Sequence, residues 1–185
     1  MRVPSGDQST AEFLTIGHSN RSNDEFLRIL KENRVSLLLD VRTYPNSRRF
    51  PHFSEGNLRK NLTDIGIEYR HCKHLGGRRD PADQTQNSAL EEGFRAVADH
   101  LNTDVGQRVL GQLETLASDR SERELITLMC AERDYRRCHR KLISDHLLVR
   151  DFDVVHLIDE SRSEPHELHP YAREKNGKVT YSGLV

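Results

Sequence analysis

The sequence predicts an α/β domain built on a largely parallel sheet. Three observations carry this. The chain opens strand, loop, helix, strand: residues 13–16 are a short apolar run, residues 22–25 have capping-box form, and Phe26, Ile29 and Leu30 follow at helical spacing. Residues 35–39 are an apolar run bounded by Asp40, as in a strand covered on both faces. Further strand-like runs at 125–130 and 154–158 are separated by helical stripes, the alternation of strand–helix–strand units.

The remaining elements follow in order. Residues 42–53 form a loop rich in Pro, Arg and Asn. Ser54 is placed to cap a helix carrying Leu58, Leu62 and Ile65, stopped by Gly66. Residues 67–71 read as a strand, and Gly76, Gly77 and Pro81 mark a loop reaching about Asn87. Ser88 and Glu91 suggest a second capping box ahead of Phe94, Val97, Ala98 and Leu101. Val105, Val109, Leu113 and Leu116 form another helical stripe, and Leu142, Ile143, His146, Leu147 and Val149 a last one. From Asp159 onward the chain reads as a polar tail. Residues 1–11 are expected to be a flexible leader, and residues 12–185 one domain.

Composition excludes several classes. Among 185 residues no apolar run approaches a membrane span, and three cysteines are too few and too odd for a disulfide scaffold. With no apolar signal core near the start, a cytoplasmic protein without membrane association is expected. The net charge of −1 hides an asymmetry: residues 42–79 carry net +6 and residues 80–125 net −6. A basic segment of this kind suits an anionic ligand.

In open parallel sheets, ligands bind beyond the carboxyl ends of the strands. Those ends carry Gly17-His18-Ser19, Asp40-Val41-Arg42, residues 71–79, residues 130–140, and His156 onward to His166 and His169. Gly17 and Ser19 fit an anion cradle or an ordinary turn. Asp40 fits a general base or a structural ion pair. Arg48 and Arg49 beside Phe50 and Phe53 fit phosphate contacts with a stacking or wedging aromatic, joined by Arg78 and Arg79. Cys130 with Arg136 matches a minimal phosphatase-like or rhodanese-like spacing. The intervening loop, however, lacks glycine and carries two carboxylates that would repel a thiolate and a phosphate. Cys130, Cys138 and His139 could ligate a metal with Cys72, His71 or His74, and His166 with His169 could form a pair. There is no paired-cysteine motif, so no metal and no cofactor is assigned. Glu132 should lie near Asp40 if their strands are neighbours, and paired carboxylates suit glycosidic cleavage.

Residues 16–19, the Asp40-Val41-Arg42 stretch with Pro45, Ser47, Arg48 and Arg49, residues 75–79, and residues 128–132 ending in Cys138-His139-Arg140 together resemble the domain-of-unknown-function-488 family. His169-Pro170 belongs to the same pattern, which spans about residues 13–173. The resemblance implies a single domain with a Rossmann-like layered sheet. It also implies an association of some relatives with DNA modification, phage defence and removal of modified bases. It carries His18, Ser19, Asp40, Arg42, Ser47, Arg48, Arg49, Cys130, Glu132, Cys138, His139 and Arg140 as site candidates.

The expectation that follows is a nucleic-acid-directed hydrolase, a DNA glycosylase acting on a modified base in double-stranded DNA. Asp40, Glu132, His18 and His139 are its expected catalytic groups. Ser19, Arg42, Ser47, Arg48, Arg49, Phe50, Arg78, Arg79 and Arg140 are the expected nucleic-acid contacts. The alternatives are a rhodanese-like or phosphatase-like enzyme using Cys130, and a non-catalytic nucleotide or nucleic-acid binding module.

Overall fold

A computed structural model describes residues 12–120 and 124–183. The expected leader at residues 1–11 lies outside them. The chain begins with β1 (Glu12–Gly17), α1 (Asn23–Glu32) and β2 (Val35–Asp40), followed by α2 (Glu55–Thr63) and β3 (Glu68–His71). Two packed helices, α3 (Glu92–Leu101) and α4 (Asp104–Ser118), lead into β4 (Leu125–Cys130). Then come α5 (Arg140–Leu148), β5 (Asp153–Leu157), β6 (Ser163–Pro165), β7 (Ala172–Lys175) and β8 (Lys178–Tyr181).

The strand order is β3-β2-β4-β1-β5-β6, parallel except for β6, which pairs antiparallel with β5. Helices cover both faces, so the domain is the Rossmann-like layered sheet that was expected. Alternation along the strands explains the layering. Phe13, Leu37, Leu39, Ile126 and Leu128 pack with α3, α4 and α5, while Leu14, Ile16, Leu38 and Met129 pack with α1 and α2. Ser22 caps α1 by accepting from the Glu25 N–H, one half of the box read from the sequence, while the Glu25 carboxylate pairs with Arg21.

Three local expectations fail for physical reasons. Ser54 does sit before α2, but its hydroxyl donates to the Ser47 carbonyl and leaves the helix end uncapped by a side chain. Ser88 caps nothing: α3 starts four residues later, with Glu91 at its cap position. The polar tail is structured. β6 extends the sheet edge, and the β7–β8 hairpin buries Ala172, Val179 and Tyr181 against the α3–α5 face. Its strands are too short and too charged on their outer side to stand out as a pattern. Among the described residues, no helix is long and apolar enough to cross a membrane.

A buried polar chain crosses the C-terminal half. Arg140 Nη1 donates to Thr15 Oγ1 (3.3 Å), which lies 2.7 Å from His156 Nδ1. His156 Nε2 is 3.0 Å from His166 Nδ1, and His166 Nε2 is 3.1 Å from Asp145 Oδ1. The chain joins Arg140 to Asp145 through Thr15, His156 and His166 without a break, and Arg140 donates at its first link. His166 and His169 thus form no metal pair: His166 is a link in this chain, and the His169 N–H donates to Asp145.

Burial, joined by the neighbouring His166, lowers the His156 pKa from 6.5 to about 2; burial and Arg150 lower that of His146 to about 3. In the unfolded chain both titrate near 6.5. The unfolded state therefore binds more protons below that value, and the stability present above it is lost as pH falls towards the folded values. Thermal melts are expected to shift down steadily below about pH 6.5, by about 1.4 kcal/mol per pH unit for each histidine. A His146→Gln variant with a less steep decline would agree; unchanged steepness would contradict the assignment.

Candidate active-site cleft

The carboxyl ends of β1, β2 and β4 meet at one edge of the sheet, and the chain there is tightly constrained. The His18 and Ser19 N–H groups donate to the carbonyls of Cys130 and Ala131, so the loop after β1 runs beside the loop after β4. Gly17 permits that approach: a Cβ there would sit 1.9 Å from the Glu132 carbonyl oxygen. Ser19 takes a left-handed backbone (φ 50°), held by its N–H bond and by His18 Nδ1 donating to its carbonyl.

Beyond these ends lies an open cleft of about 1110 Å³. His18, Ser19, Arg42, Cys130, Glu132, Cys138 and His139 line it from the strand ends, and Tyr44, Ser47, Arg48, Gly77, Arg78 and Arg137 from the surrounding loops. A shallower depression holding Arg49 and Phe50 shares His18, Ser19 and Ser47 with it. The structure thus brings most of the sequence candidates to one place.

It also separates their roles. Asp40 is fully buried, and Arg42 Nε lies 2.8 and 3.1 Å from its two oxygens. Tyr69 Oη donates to Oδ2 (2.9 Å) and the Arg42 N–H to Oδ1 (3.1 Å). Burial opposes the Arg42 charge, but the hydrogen bonds and charge of Asp40 outweigh it and hold the guanidinium more strongly protonated. The expected general base is therefore a closed structural ion pair. His18 has both nitrogens engaged: Nδ1 with the Ser19 carbonyl, and Nε2 accepting from Arg42 Nη1 (3.3 Å). Its ring stacks on Phe53, and burial lowers its pKa to about 4, so it is neutral at pH 7 and has no proton to give.

Two expected nucleic-acid contacts also turn inward. Arg140, 1% exposed, donates to the Glu132 and Arg133 carbonyls, to Thr15 and to Cys138 Sγ. Arg79 donates to the carbonyls of Lys73, His74 and Gly76. Arg136, paired with Cys130 by spacing, instead lies over Tyr135 and forms a salt bridge with Glu164. The phosphatase-like geometry is thus not formed. Glu132 is the accessible carboxylate of the cleft: its side chain accepts from the Asp134 N–H and, among the described residues, forms no salt bridge.

Tyr44 is the residue that sequence reasoning passed over. It is 65% exposed at the cleft, and the Arg78 guanidinium sits 5.7 Å from its ring centroid. A lone aromatic in a Pro/Asn loop carries no periodic signal; only the return of residues 76–78, where the Arg78 N–H donates to Thr43 Oγ1, reveals it.

Cys130, Cys138 and His139 form a compact group, their ligand atoms within 4.8 Å of one another. Cys72, His71 and His74 stand outside it. The interaction between the two sulfurs holds the Cys130 thiol protonated, with burial adding to it, and draws the Cys138 thiol well below its usual range, where His139 and Arg140 add to the effect.

Comparison with known proteins adds a single finding. The family described as Domain of unknown function DUF488 matches residues 22–147. No curated protein and no solved structure matches the chain.

The Asp40–Arg42 assignment has a direct test. Asp40→Asn leaves a buried cation without its counter-ion and is expected to cost about 3–5 kcal/mol in denaturant unfolding. The Asp40→Leu/Arg42→Met double variant is expected to recover most of that loss. An Asp40→Asn protein of wild-type stability would show that the pair does not hold the fold.

Proposed function

The chain belongs to the DUF488 family, and we propose that this member is a nucleic-acid-directed hydrolase that cleaves the N-glycosidic bond of a modified base. One juxtaposition carries the reading: an exposed aromatic–arginine pair, Tyr44 with Arg78, in the same cleft as the accessible Glu132 carboxylate. Aromatic faces stack bases without regard to sequence, and exposed arginines hold the backbone. Arg48, Arg78 and Arg137 supply that charge around the cleft, with Arg49 and Phe50 alongside. The cleft is large enough for a base turned out of its duplex, which an enzyme needs to reach a glycosidic bond.

Within this reading Glu132 positions water and stabilises the sugar cation as the bond to the base breaks. The buried groups beneath, Asp40, Arg42 and His18, keep the floor rigid and neutral. A thiol enzyme is the second reading, favoured by the closeness of Cys130, Cys138 and His139 and opposed by the placement of Arg136.

The test is an end-labelled DNA cleavage assay on unmodified, hydroxymethylated and glucosylated duplexes, followed by alkali. Breaks that need alkali and are confined to one modified DNA are expected. Glu132→Gln should lower the rate by about 10²–10⁴-fold with binding retained. Tyr44→Ala should weaken binding by about 1–3 kcal/mol. Salt-sensitive binding with no breaks on any substrate would overturn the hydrolase in favour of a binding module.

A further inference from the structure

We propose that Cys130, Cys138 and His139 form a binding site for a thiolate-preferring divalent cation such as Zn²⁺, with three protein ligands and a fourth position open to the cleft. The first argument is distance. Cys130 Sγ and Cys138 Sγ lie 4.0 and 3.7 Å from His139 Nδ1. Zinc bonded tetrahedrally to sulfur and nitrogen places such pairs about 3.6 Å apart, so ligation requires shifts of only a few tenths of an ångström at these contacts.

The second argument is the orientation of the imidazole. His139 Nε2 faces the Val41 carbonyl at 3.1 Å, and a carbonyl can only accept. Nε2 therefore carries a proton and is held away from the group, which leaves Nδ1, the nitrogen facing both sulfurs, as the ligating atom. Metal-bound histidines are fixed in this way, by a carbonyl or carboxylate on the far nitrogen.

Two further residues hold the arrangement. Gly77 lies flat against the imidazole: a Cβ there would be 2.5 Å from Nδ1, 2.8 Å from Cγ and 3.0 Å from Cε1, which places it over the ring face. Arg140 Nε donates to Cys138 Sγ at 3.3 Å, favouring the thiolate that a metal requires. Cys130 ends β4, Cys138 and His139 immediately precede α5, and all three line the cleft. Sites with three protein ligands keep the fourth position for water or substrate, whereas structural sites close it. In the hydrolase reading that position would hold the attacking water, though the metal assignment does not rest on that reading.

The test uses the reduced full-length chain. Dialysis against Zn²⁺ followed by elemental analysis is expected to give one ion per chain, and Co²⁺ should produce a thiolate charge-transfer band. Cys130→Ser and Cys138→Ser should each abolish stoichiometric uptake, and Cys72→Ser should retain it. Gly77→Ala, which keeps all three ligands but displaces the ring, should weaken uptake at least tenfold. A measurement on the unaltered chain guards against variants that fail to fold. Zn²⁺ should slow iodoacetamide labelling of Cys130 at least tenfold, with Cys72 as the internal reference. No uptake by the folded reduced chain, unchanged Cys130 labelling, or full uptake by the Cys130→Ser/Cys138→Ser double variant would each overturn the proposal. DNA cleavage is scored separately, so failure of either reading is recognisable on its own.

Discussion

Arg140 is the side chain on which the carboxyl edge of the sheet depends. A buried guanidinium is costly unless its donors are met, and four partners meet them here: two carbonyls of the 131–134 loop, the Thr15 hydroxyl and the Cys138 sulfur. Among the described residues none of its partners is a carboxylate. Its charge therefore remains uncompensated locally and acts on whatever lies close. It pins the loop after β4 over the end of β1, anchors one end of the Thr15–His156–His166–Asp145 chain, and helps draw the Cys138 thiol towards its ionised form.

Asp40 and Arg42 follow the opposite logic. There the charges are matched, and Tyr69 and the backbone complete the pair. The floor of the cleft is consequently neutral on the β2 side and electropositive beneath the thiols. Charge available to an anionic ligand resides in the loops, on Arg48, Arg78 and Arg137, which are exposed. The division is physical: arginines near strand ends are desolvated and must bond to the protein itself, and only those on loops keep free donors.

The same distinction explains what could be read from the sequence. Among the described elements the helices and the inner strands β1, β2, β4 and β5 show as apolar periodicity because burial imposes it, whereas the edge strand β3 buries only Tyr69. The cleft's position follows from the strand ends, and His18, Arg42, Glu132, Cys130 and His139 do converge there. Roles were less legible. Asp40 and Glu132 are both carboxylates after apolar strands, yet one is fully buried and the other exposed, a difference set by Tyr69 and Arg42 in three dimensions. Arg140 reads as a surface cation because nothing in the sequence shows the 131–134 loop folding back over it and Thr15 of β1 meeting its other side. Tyr44 and the β7–β8 hairpin escape notice for the converse reason: a single aromatic, and strands of four residues, carry too little pattern.

The place of β4 between β2 and β1 has a consequence for how the molecule is made. The chain lays down β1, β2 and β3 first, but β2 hydrogen-bonds to β1 through no contact of its own; residues 125–130 must arrive to fill the space. During synthesis the first hundred residues hold the β2–β3 pair and an unpaired β1, each with open edges that can pair wrongly until the gap is filled. The strand that joins them also delivers Cys130, with Glu132 two residues behind. Bridging of the two parts and delivery of the cleft's carboxylate are therefore one event, with β5 and β6 still to join the far edge.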